Sequence, residues 1–418
     1  METSPVHKMW KRIFFPFFIG QMLSILGSSL VSFALIWWLT EETGSATILA
    51  TATIFSLVPE MVVQVFAGAI VDRLNRKRVI MISDGIIAII TTLLGVLFYL
   101  DMAGVWAIYG MMLIRAVGSA FHYPAEQASV AMMVPSEQLA KLAGLNQAAR
   151  GIINIISAPM GALVLAYLDI EGALWIDVLT AAIAISIVAA TPIPRQEKLA
   201  SSGTNWFTTV MRDLKDGFEY LTQWKGMTVM IGVALVFKVA LTPAFSLIPL
   251  LVYDHLQGNA AQYSMAEGAA GIGIILGGLI LSVWGGFKKQ VYTILMGGIG
   301  VGAAIFMMGF LPGGALLGLM PLMLLLGFMI PMVDGPIGAL FQSKVDNAYQ
   351  GRVMTLFGTI VNLSGPIGLV MAGPLSDRFG LQIWFITAGC LIFISFTYGL
   401  LNKPFMSIDD GPQKIKPQ

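Results

Sequence analysis

Charged side chains are scarce in this chain of 418 residues, where they make up 11% of the total, against about 25% in a typical soluble domain. Hydrophobic residues make up 57% of the chain, and its mean hydropathy is +0.81. So little polar surface excludes the classes of soluble enzyme and disordered protein. Long apolar runs separated by short polar breaks instead predict an all-α protein that crosses a membrane many times.

Cysteine and histidine are also rare. The single cysteine, Cys390, cannot form an internal disulfide, and the three histidines (His7, His122 and His255) form no cluster that could hold a metal. We therefore expect no cofactor. The sequence contains no Gly-x4-Gly-Lys-Ser/Thr loop, no His-Glu-x-x-His and no Gly-x-Ser-x-Gly, which argues against an ATP-driven pump and an intramembrane enzyme. A formal net charge of +1 offers no bulk attraction to nucleic acid.

Twelve apolar stretches are long enough to cross the hydrocarbon core, which takes about 20 helical residues. They are 13–39, 46–70, 79–100, 105–121, 151–168, 173–190, 227–251, 265–284, 291–311, 315–333, 353–374 and 381–401. A polar stretch divides them into six and six. The pattern predicts an N-terminal six-helix bundle (1–190), a linker (191–225), a C-terminal bundle (226–402) and a tail (403–418). Apolar residues at helical spacing over 207–221 predict an amphipathic helix within the linker.

The basic residues predict the orientation of the spans. All but three of the 24 lysines and arginines fall on one face under a twelve-span count. The exceptions are Arg115 and Lys238, inside spans, and Arg378, on the opposite face. By the positive-inside rule, both termini and the linker are predicted to be cytoplasmic, in a multi-pass protein of the plasma membrane.

The two halves share a short sequence echo. Ser-Ala-Pro-Met-Gly in the fifth span, with Pro159 and Gly161, matches Ser-Gly-Pro-Ile-Gly in the eleventh, with Pro366 and Gly368. Gly-Pro pairs are common in membrane helices, so chance recurrence stays open. A proline kink between small residues permits close packing and bending. Two six-helix halves of this kind are typical of two-repeat transporters, whose substrate site lies between the halves.

The loop after the second span carries a glycine, an Asp-Arg pair and further basic residues, namely Gly68, Asp72, Arg73 and Arg76. This pattern resembles the cytoplasmic signature of the major facilitator superfamily. There, a small residue lets helices approach closely and a charge cluster latches one conformation. Asn75 stands where the family has a turn glycine, and it tolerates the left-handed conformation better than most residues. A basic loop that serves topology alone is the alternative.

Other stretches resemble the macrolide-efflux branch of that superfamily. They lie at 39–46, 114–125, 134–139 and 176–179, with weaker matches at 351–353 and 366–369. The resemblance implies the twelve-helix major facilitator fold and a proton-coupled exporter of bulky amphipathic compounds, such as macrolide-like drugs, that works by alternating access. We also expect the protein to be a monomer. A siderophore or other metabolite exporter, and a nutrient importer or facilitator on the same scaffold, stay open as alternatives.

Charged residues within the predicted spans are candidates for proton coupling, because a charge at mid-membrane costs several kcal/mol, roughly 2.5 to 17. Arg115 matches the superfamily's fourth-span arginine motif; the alternative is a structural ion pair with Asp84 or Glu60. The Glu60 carboxyl could alternate between protonated and ionised forms, or stay permanently protonated. Lys238 and Asp334 form a second candidate pair on cavity-lining spans, although their depths differ.

A few uncharged polar side chains within or next to the spans are candidates for the substrate cavity. They are Gln21, Ser24, Asn146, Gln147 and Asn154. Numerous methionines and phenylalanines would make such a cavity flexible and apolar, which suits a large amphipathic ligand. Asp84 and Asp177 lie nearer the ends of their spans, and we expect them to have structural roles.

Overall fold

The computed structural model describes residues 5–194, 215, 217–347 and 349–411, with side chains from residue 10 onward apart from that of Ala69. Within these ranges the regular structure is helical, without strands. Most of the predicted linker helix over 207–221 lies outside the described residues, as does the end of the predicted tail. Residues 217–223 of the linker are helical.

Eleven long helices in the described ranges are apolar enough to cross a membrane. They are α1 (Pro5–Thr43), α2 (Ala46–Val71), α3 (Arg76–Tyr99), α4 (Val105–Met133), α5 (Ser136–Ala190), α6 (Lys225–Ser246), α7 (Ala260–Trp284), α8 (Gln290–Met308), α9 (Leu316–Lys344), α10 (Gln350–Phe379) and α11 (Leu381–Leu401). Shorter helical segments cover Ile248–Leu250, Leu251–His255, Lys403–Met406 and Ile408–Asp410.

Helix α5 consists of two arms that account for two predicted spans. Its 55 residues would extend about 80 Å if straight, far more than the roughly 30 Å hydrocarbon core. Asp169 breaks it with a φ of 53° and a ψ of −169°. Counting both arms gives twelve segments in the described ranges that are long and apolar enough to cross a membrane, which confirms the predicted all-α architecture.

The predicted edges of the fourth and fifth spans were wrong. Residues 122–150 were placed mostly between spans, but α4 continues to Met133 and α5 begins at Ser136. Arg150, counted there as a loop residue, lies within α5. The reason is that charged side chains pair with one another inside these helices, so polarity does not end them.

The chain divides into two compact units. The first comprises residues 1–43 and 52–201, and the second comprises 44–51 and 202–418. In the first unit α1 packs along α5, and α3 packs against α4 and α5. In the second unit α9 lies against α7 and α8, while α6 packs against α10 and α11. The first six residues of α2 therefore group with the second unit, and the remainder of α2 with the first.

An aromatic and aliphatic cluster holds one end of the first unit together. Phe14 and Phe17 of α1 are about 1% exposed and pack with residues from the ends of α2, α3, α4 and α5. Among these are Val71, Ile80 and Met133. Full burial of each large side chain contributes about 1.5–3 kcal/mol, so this end of the unit is a rigid base for the helices above it.

The echoed Pro-x-Gly motifs occupy equivalent places in the two units. A Cβ added at Gly161 of α5 would lie 2.7 Å from the Phe33 ring of α1. A Cβ added at Gly368 of α10 would run into the Val239 carbonyl oxygen of α6. In each unit the motif thus lets the fifth helix of the half pack tightly against the first, next to Pro159 or Pro366.

Candidate proton and substrate site

Four polar side chains follow one face of α4. Arg115, Ser119, His122 and Glu126 are spaced by four, three and four residues, which aligns them along a single helical stripe. The remainder of α4 is largely apolar. This stripe organises the charged groups of the first unit, because each ionisable member faces a partner on another helix.

A cavity of about 390 Å³ opens beside this stripe in the first unit. Its volume falls within the range of about 300–1,000 Å³ that is typical of small-molecule sites. Side chains from α1, α2, α4 and α5 line it, and most of them are polar: Ile25, Glu60, Gln64, Ser119, His122, Tyr123, Glu126 and Arg150.

The Glu126–Arg150 ion pair forms one wall of the cavity. Arg150 Nη2 lies 2.8 Å from Glu126 Oε2, and the Glu126 side chain is only 3% exposed. Arg150 Nε donates to Asn146 Oδ1 at 3.0 Å, and its guanidinium stacks 5.3 Å from the centre of the Tyr123 ring. Hydrogen bonds and stacking fix the direction of the guanidinium, so Arg150 neutralises Glu126 in a defined geometry.

His122 forms the second charged contact, to Asp84 of α3. Its Nε2 lies 3.2 Å from Asp84 Oδ1, and both side chains are largely buried. Asp84, for which a purely structural role was expected, therefore faces an imidazole at the cavity. Glu60 also lines the cavity, and none of the ion pairs within the described ranges includes it.

The charges around the cavity do not balance. Glu60 and Glu126 line the cavity together with a single guanidinium, that of Arg150, while Asp84 contacts His122. Buried charge of one sign is costly, and binding of protons or of a cation reduces that cost. The arrangement can therefore take up positive charge reversibly.

Arg115 lies in a different network. Its Nη1 is 2.5 Å from Asp177 Oδ2 and donates to Thr91 Oγ1 at 2.8 Å. Ser28 Oγ donates to the other Asp177 oxygen at 3.0 Å. The partner of Arg115 is thus Asp177, and the pairing considered with Asp84 or Glu60 was wrong. The predicted coupling role of Arg115 stays a prediction.

None of the five uncharged cavity candidates is among the residues that line the first-unit cavity, and three of them have distinct surroundings. Gln21 is 1% exposed, and neither atom of its amide has a hydrogen-bond partner in the described part of the chain. Asn146 orients Arg150, and Asn154 is exposed. A buried amide without a partner costs about 1–3 kcal/mol, so Gln21 stays a candidate for a functional role.

In the second unit, Lys238 and Asp334 line one small cavity of about 60 Å³, whose other walls are mainly apolar. No ion pair within 4 Å joins them in the described ranges. Glu267, which was not among the predicted site residues, lies within α7 and hydrogen-bonds to the buried Tyr263 one turn away. An acid inside an apolar span was the available signal.

His122, Glu126 and Arg150 were also missed as site residues. All three were placed between spans, where charge is unremarkable. The spacing of His122 and Glu126 from Arg115, through Ser119, at intervals of three and four residues is the signal that would have shown one continuous helical face. Arg150 lies on α5 and carried no such signal.

Comparison with known proteins establishes the family. Residues 17–369 match the family model of the Major Facilitator Superfamily. The chain belongs to that superfamily. Macrolide efflux protein A of Streptococcus pyogenes is 33% identical over 397 residues, covering 94% of this chain and 97% of that protein. Macrolide efflux protein A of Enterococcus faecalis is 31% identical over 328 residues, covering 78% and 100%. These matches confirm the macrolide-efflux branch, and the protein is a membrane transporter.

More distant comparisons agree on the fold. The multidrug efflux pump Tap of Mycolicibacterium fortuitum is 27% identical over 376 residues, covering 86% of this chain and 88% of that protein. A solved POT family transporter superposes with a TM-score of 0.73 at 10% identity, covering 94% of this chain and 96% of its own. A bacterial homologue of the human lysosomal transporter Spinster, solved inward-facing and unoccupied, superposes with a TM-score of 0.69 at 13% identity, covering 98% of both chains.

The superfamily signature after α2 forms a compact charge cluster. Arg76 Nη2 lies 3.0 Å from Asp72 Oδ1, while its Nη1 donates to the Ala128 carbonyl of α4 at 3.1 Å. Lys77 Nζ donates to the carbonyl oxygens of Ala189 at 2.6 Å and Thr191 at 2.9 Å, at the end of α5. Arg73 is exposed. The signature thus ties α2, α3, α4 and α5 together at one end of the first unit.

Two details of the signature differ from expectation. Asn75 has a φ of −73° and is not left-handed; its Oδ1 accepts a hydrogen bond from Arg78 N at 3.3 Å and caps α3. A Cβ added at Gly68 would meet no atom within 4 Å, so this glycine serves no close approach in this conformation. Where the superfamily has a glycine in a turn, this chain has an asparagine that caps the following helix.

Proposed function

We propose that this protein exports bulky amphipathic compounds, macrolide-like drugs among them, in exchange for protons by alternating access. One observation carries the proposal: a cavity of about 390 Å³ is lined by two carboxyl groups, an imidazole and a single guanidinium, and a third carboxyl group, that of Asp84, lies against the imidazole. The names of its relatives, macrolide efflux protein A and multidrug efflux pump Tap, support the drug class. Siderophores and other metabolites are alternative cargoes for the same cavity.

Exchange follows from competition for negative charge. An amphipathic cation that enters the cavity would neutralise the Glu60 carboxylate and be attracted by that of Glu126. Protons bound to Glu60 and His122 would neutralise the same group of side chains. Two ligands that compete for one charge lower each other's affinity by the same factor. Release of substrate on one side of the membrane therefore favours proton uptake there.

The driving force suffices for export. A membrane potential of 100 mV supplies about 2.3 kcal/mol per elementary charge moved. Because about 1.4 kcal/mol corresponds to a factor of ten, each net charge that moves inward supports roughly fifty-fold concentration of the solute. Exchange of one proton for one monovalent cation moves no net charge, so in that case the pH gradient alone drives export.

The proposed orientation places both termini in the cytoplasm of a plasma-membrane protein that works as a monomer. The basic residues support it, since all but four of 24 fall on the face of the signature loop under a twelve-span count; the exceptions are Arg115, Arg150, Lys238 and Arg378. Export then requires the first-unit cavity to open alternately to the two faces.

Uptake of a radiolabelled macrolide into inverted membrane vesicles tests the proposal, measured with and without a proton gradient that makes the vesicle interior acidic. We expect gradient-driven accumulation by the native protein and a loss of at least tenfold with Glu126→Gln or Glu60→Gln. Glu171→Gln, which changes an acid of the same unit that does not line the cavity, is the matched control and should keep native uptake.

The alternatives give different results in the same vesicles. A passive facilitator equilibrates the solute regardless of the gradient, and an importer accumulates it only in right-side-out vesicles. Native gradient-driven uptake by both Glu60→Gln and Glu126→Gln would remove the cluster from coupling. A neutral analogue of a cationic macrolide should be accumulated several-fold less, because it leaves the carboxylates unneutralised.

A further inference from the structure

Asp377, near the end of α10, caps the first turn of α2. Its Oδ1 accepts the backbone N–H of Ala46 at 2.7 Å, and its Oδ2 accepts the N–H of Thr47 at 3.0 Å. Ser45 Oγ donates to Oδ2 at 2.9 Å. A carboxylate at a helix N-terminus satisfies amides that have no partner inside the helix. All four residues belong to the second unit.

The backbones of the two helices are in contact beside this cap. A Cβ added at Gly373, one turn before Asp377, would lie 2.7 Å from Thr47 Cα and 3.3 Å from Ala50 Cβ. Only glycine permits this approach. Ala46 and Ala50, the small residues on the facing side of α2, are at most 2% exposed.

The sequence of this contact repeats that of the signature loop. Ala-Gly-x-x-x-Asp-Arg occurs at residues 67–73, at the far end of α2, and again at residues 372–378. Inverted three-helix repeats place the second and eleventh spans in corresponding positions of opposite direction. Helix α2 therefore carries one copy at its C-terminus and is capped by the other at its N-terminus.

Helix α2 packs less closely on its neighbours than the other long helices of the described ranges. It also exposes large apolar side chains, Val62 and Val65 among them. A helix with few packing contacts can shift, so its position depends more on the hydrogen bonds at its first turn.

We propose that Asp377 and Gly373 form a latch that holds the first turn of α2 in the conformation seen here and releases it once per transport cycle. The latch lies on the face opposite the signature loop, which the basic residues predict to be external. Closing it seals that face; opening it frees the first turn of α2 to follow the first unit, to which the rest of α2 belongs.

Thiol labelling tests the latch without requiring transport. In a Cys390→Ser background, Ala50→Cys places a thiol beneath the contact. We expect a membrane-impermeant maleimide to label it slowly, and at least fivefold faster after Asp377→Asn. Asp101→Asn, which alters an exposed acid on the same predicted face, is the control and should leave the rate unchanged. An equal rate with Asp377 and Asn at position 377 overturns the proposal.

Cross-linking tests whether the contact opens during the cycle. Ser45→Cys and Asp377→Cys in the Cys390→Ser background are bridged with a short bifunctional thiol reagent that a reductant can cleave. We expect cross-linking to lower the transport rate at least tenfold, and cleavage of the cross-link to restore the rate. Native transport by the cross-linked protein, or a pair that cannot be cross-linked, contradicts a latch that opens. If no substrate is ever transported, the labelling result still decides whether the latch exists.

Discussion

The Arg115 guanidinium lies 2.5 Å from the Asp177 carboxylate, and Ser28 and Thr91 donate hydroxyl groups to the same acid. The four residues come from α1, α3, α4 and the second arm of α5. Because the Asp177 side chain is only 2% exposed, water cannot replace a lost partner. This network therefore joins four helical segments of the first unit at mid-helix.

Replacing Asp177 by alanine should destabilise the protein by about 3–5 kcal/mol, because the buried Arg115 charge loses its partner. Replacing both residues, as Arg115→Met with Asp177→Leu, should recover most of that loss, since no charge remains buried. Unfolding of the purified protein in detergent measures both effects, with Ser136→Ala at an exposed helix end as the control. A variant Asp177→Asn that keeps native stability but loses proton-driven uptake would instead give Arg115 the coupling role.

His122→Gln should flatten the dependence of transport on pH. Imidazole is the side chain whose charge changes between about pH 5 and 8, and Nε2 of His122 faces the Asp84 carboxylate at 3.2 Å. Glutamine keeps a polar side chain of similar size but cannot gain that proton. Initial uptake rates across this pH range, under a fixed membrane potential, measure the effect.

His255→Gln is the matched control for His122, because His255 also makes a close contact, to the Leu311 carbonyl oxygen at 2.7 Å, but lies in the second unit. Its pH profile should follow that of the native protein. A native profile for His122→Gln would exclude this imidazole from proton transfer and leave the carboxyl groups to bind the coupling proton.

Gly368→Ala should destabilise the second unit by about 1–3 kcal/mol, because its Cβ would run into the Val239 carbonyl and force α6 and α10 apart. Gly358→Ala, on the same helix, meets no atom within 4 Å and should be neutral or slightly stabilising. Thermal unfolding of the two variants side by side measures the difference. Equal stability would mean that the helices separate at no cost.

Asn75→Ala should cost about 1 kcal/mol of stability, since the alanine cannot accept the Arg78 N–H that Asn75 caps. Asn75→Asp should keep the cap. Asn75→Gly, which introduces the superfamily's turn residue, should cost only a few tenths of a kcal/mol. Denaturation of the variants ranks them; a glycine variant more stable than the native protein would indicate that a left-handed turn is favoured after all.

The number of spans could be predicted from apolar runs because lipid forces each crossing segment to satisfy its own backbone hydrogen bonds. The edges of α4 and α5 could not be predicted in the same way. Glu126 and Arg150 neutralise each other within helices, but in the sequence their charges look like those of residues in a loop between spans. The break at Asp169 falls between two predicted spans, 151–168 and 173–190, because the run Asp-Ile-Glu-Gly separates two apolar stretches. That a single residue makes this turn could not be predicted.

Part of the candidate site could be predicted, and part required the fold. Glu60 was found because an acid in an apolar span is costly wherever it points. The partner of Arg115 could not be found: Asp84 and Glu60 were considered, and only the packing of α4 against the second arm of α5 brings Asp177 to the guanidinium. The second copy of the Asp-Arg motif, at residues 372–378, becomes meaningful once Asp377 is seen at the first turn of α2.

The bend at Asp169 makes the hairpin between the fifth and sixth spans unusually short. A single residue in a backbone region that favours glycine joins two membrane-crossing arms, so there is no slack between them. A displacement of one arm is therefore transmitted directly to the other arm. Inserting a flexible tether of several glycines there would uncouple the arms, and an epitope tag placed at this corner would disturb the transport cycle itself.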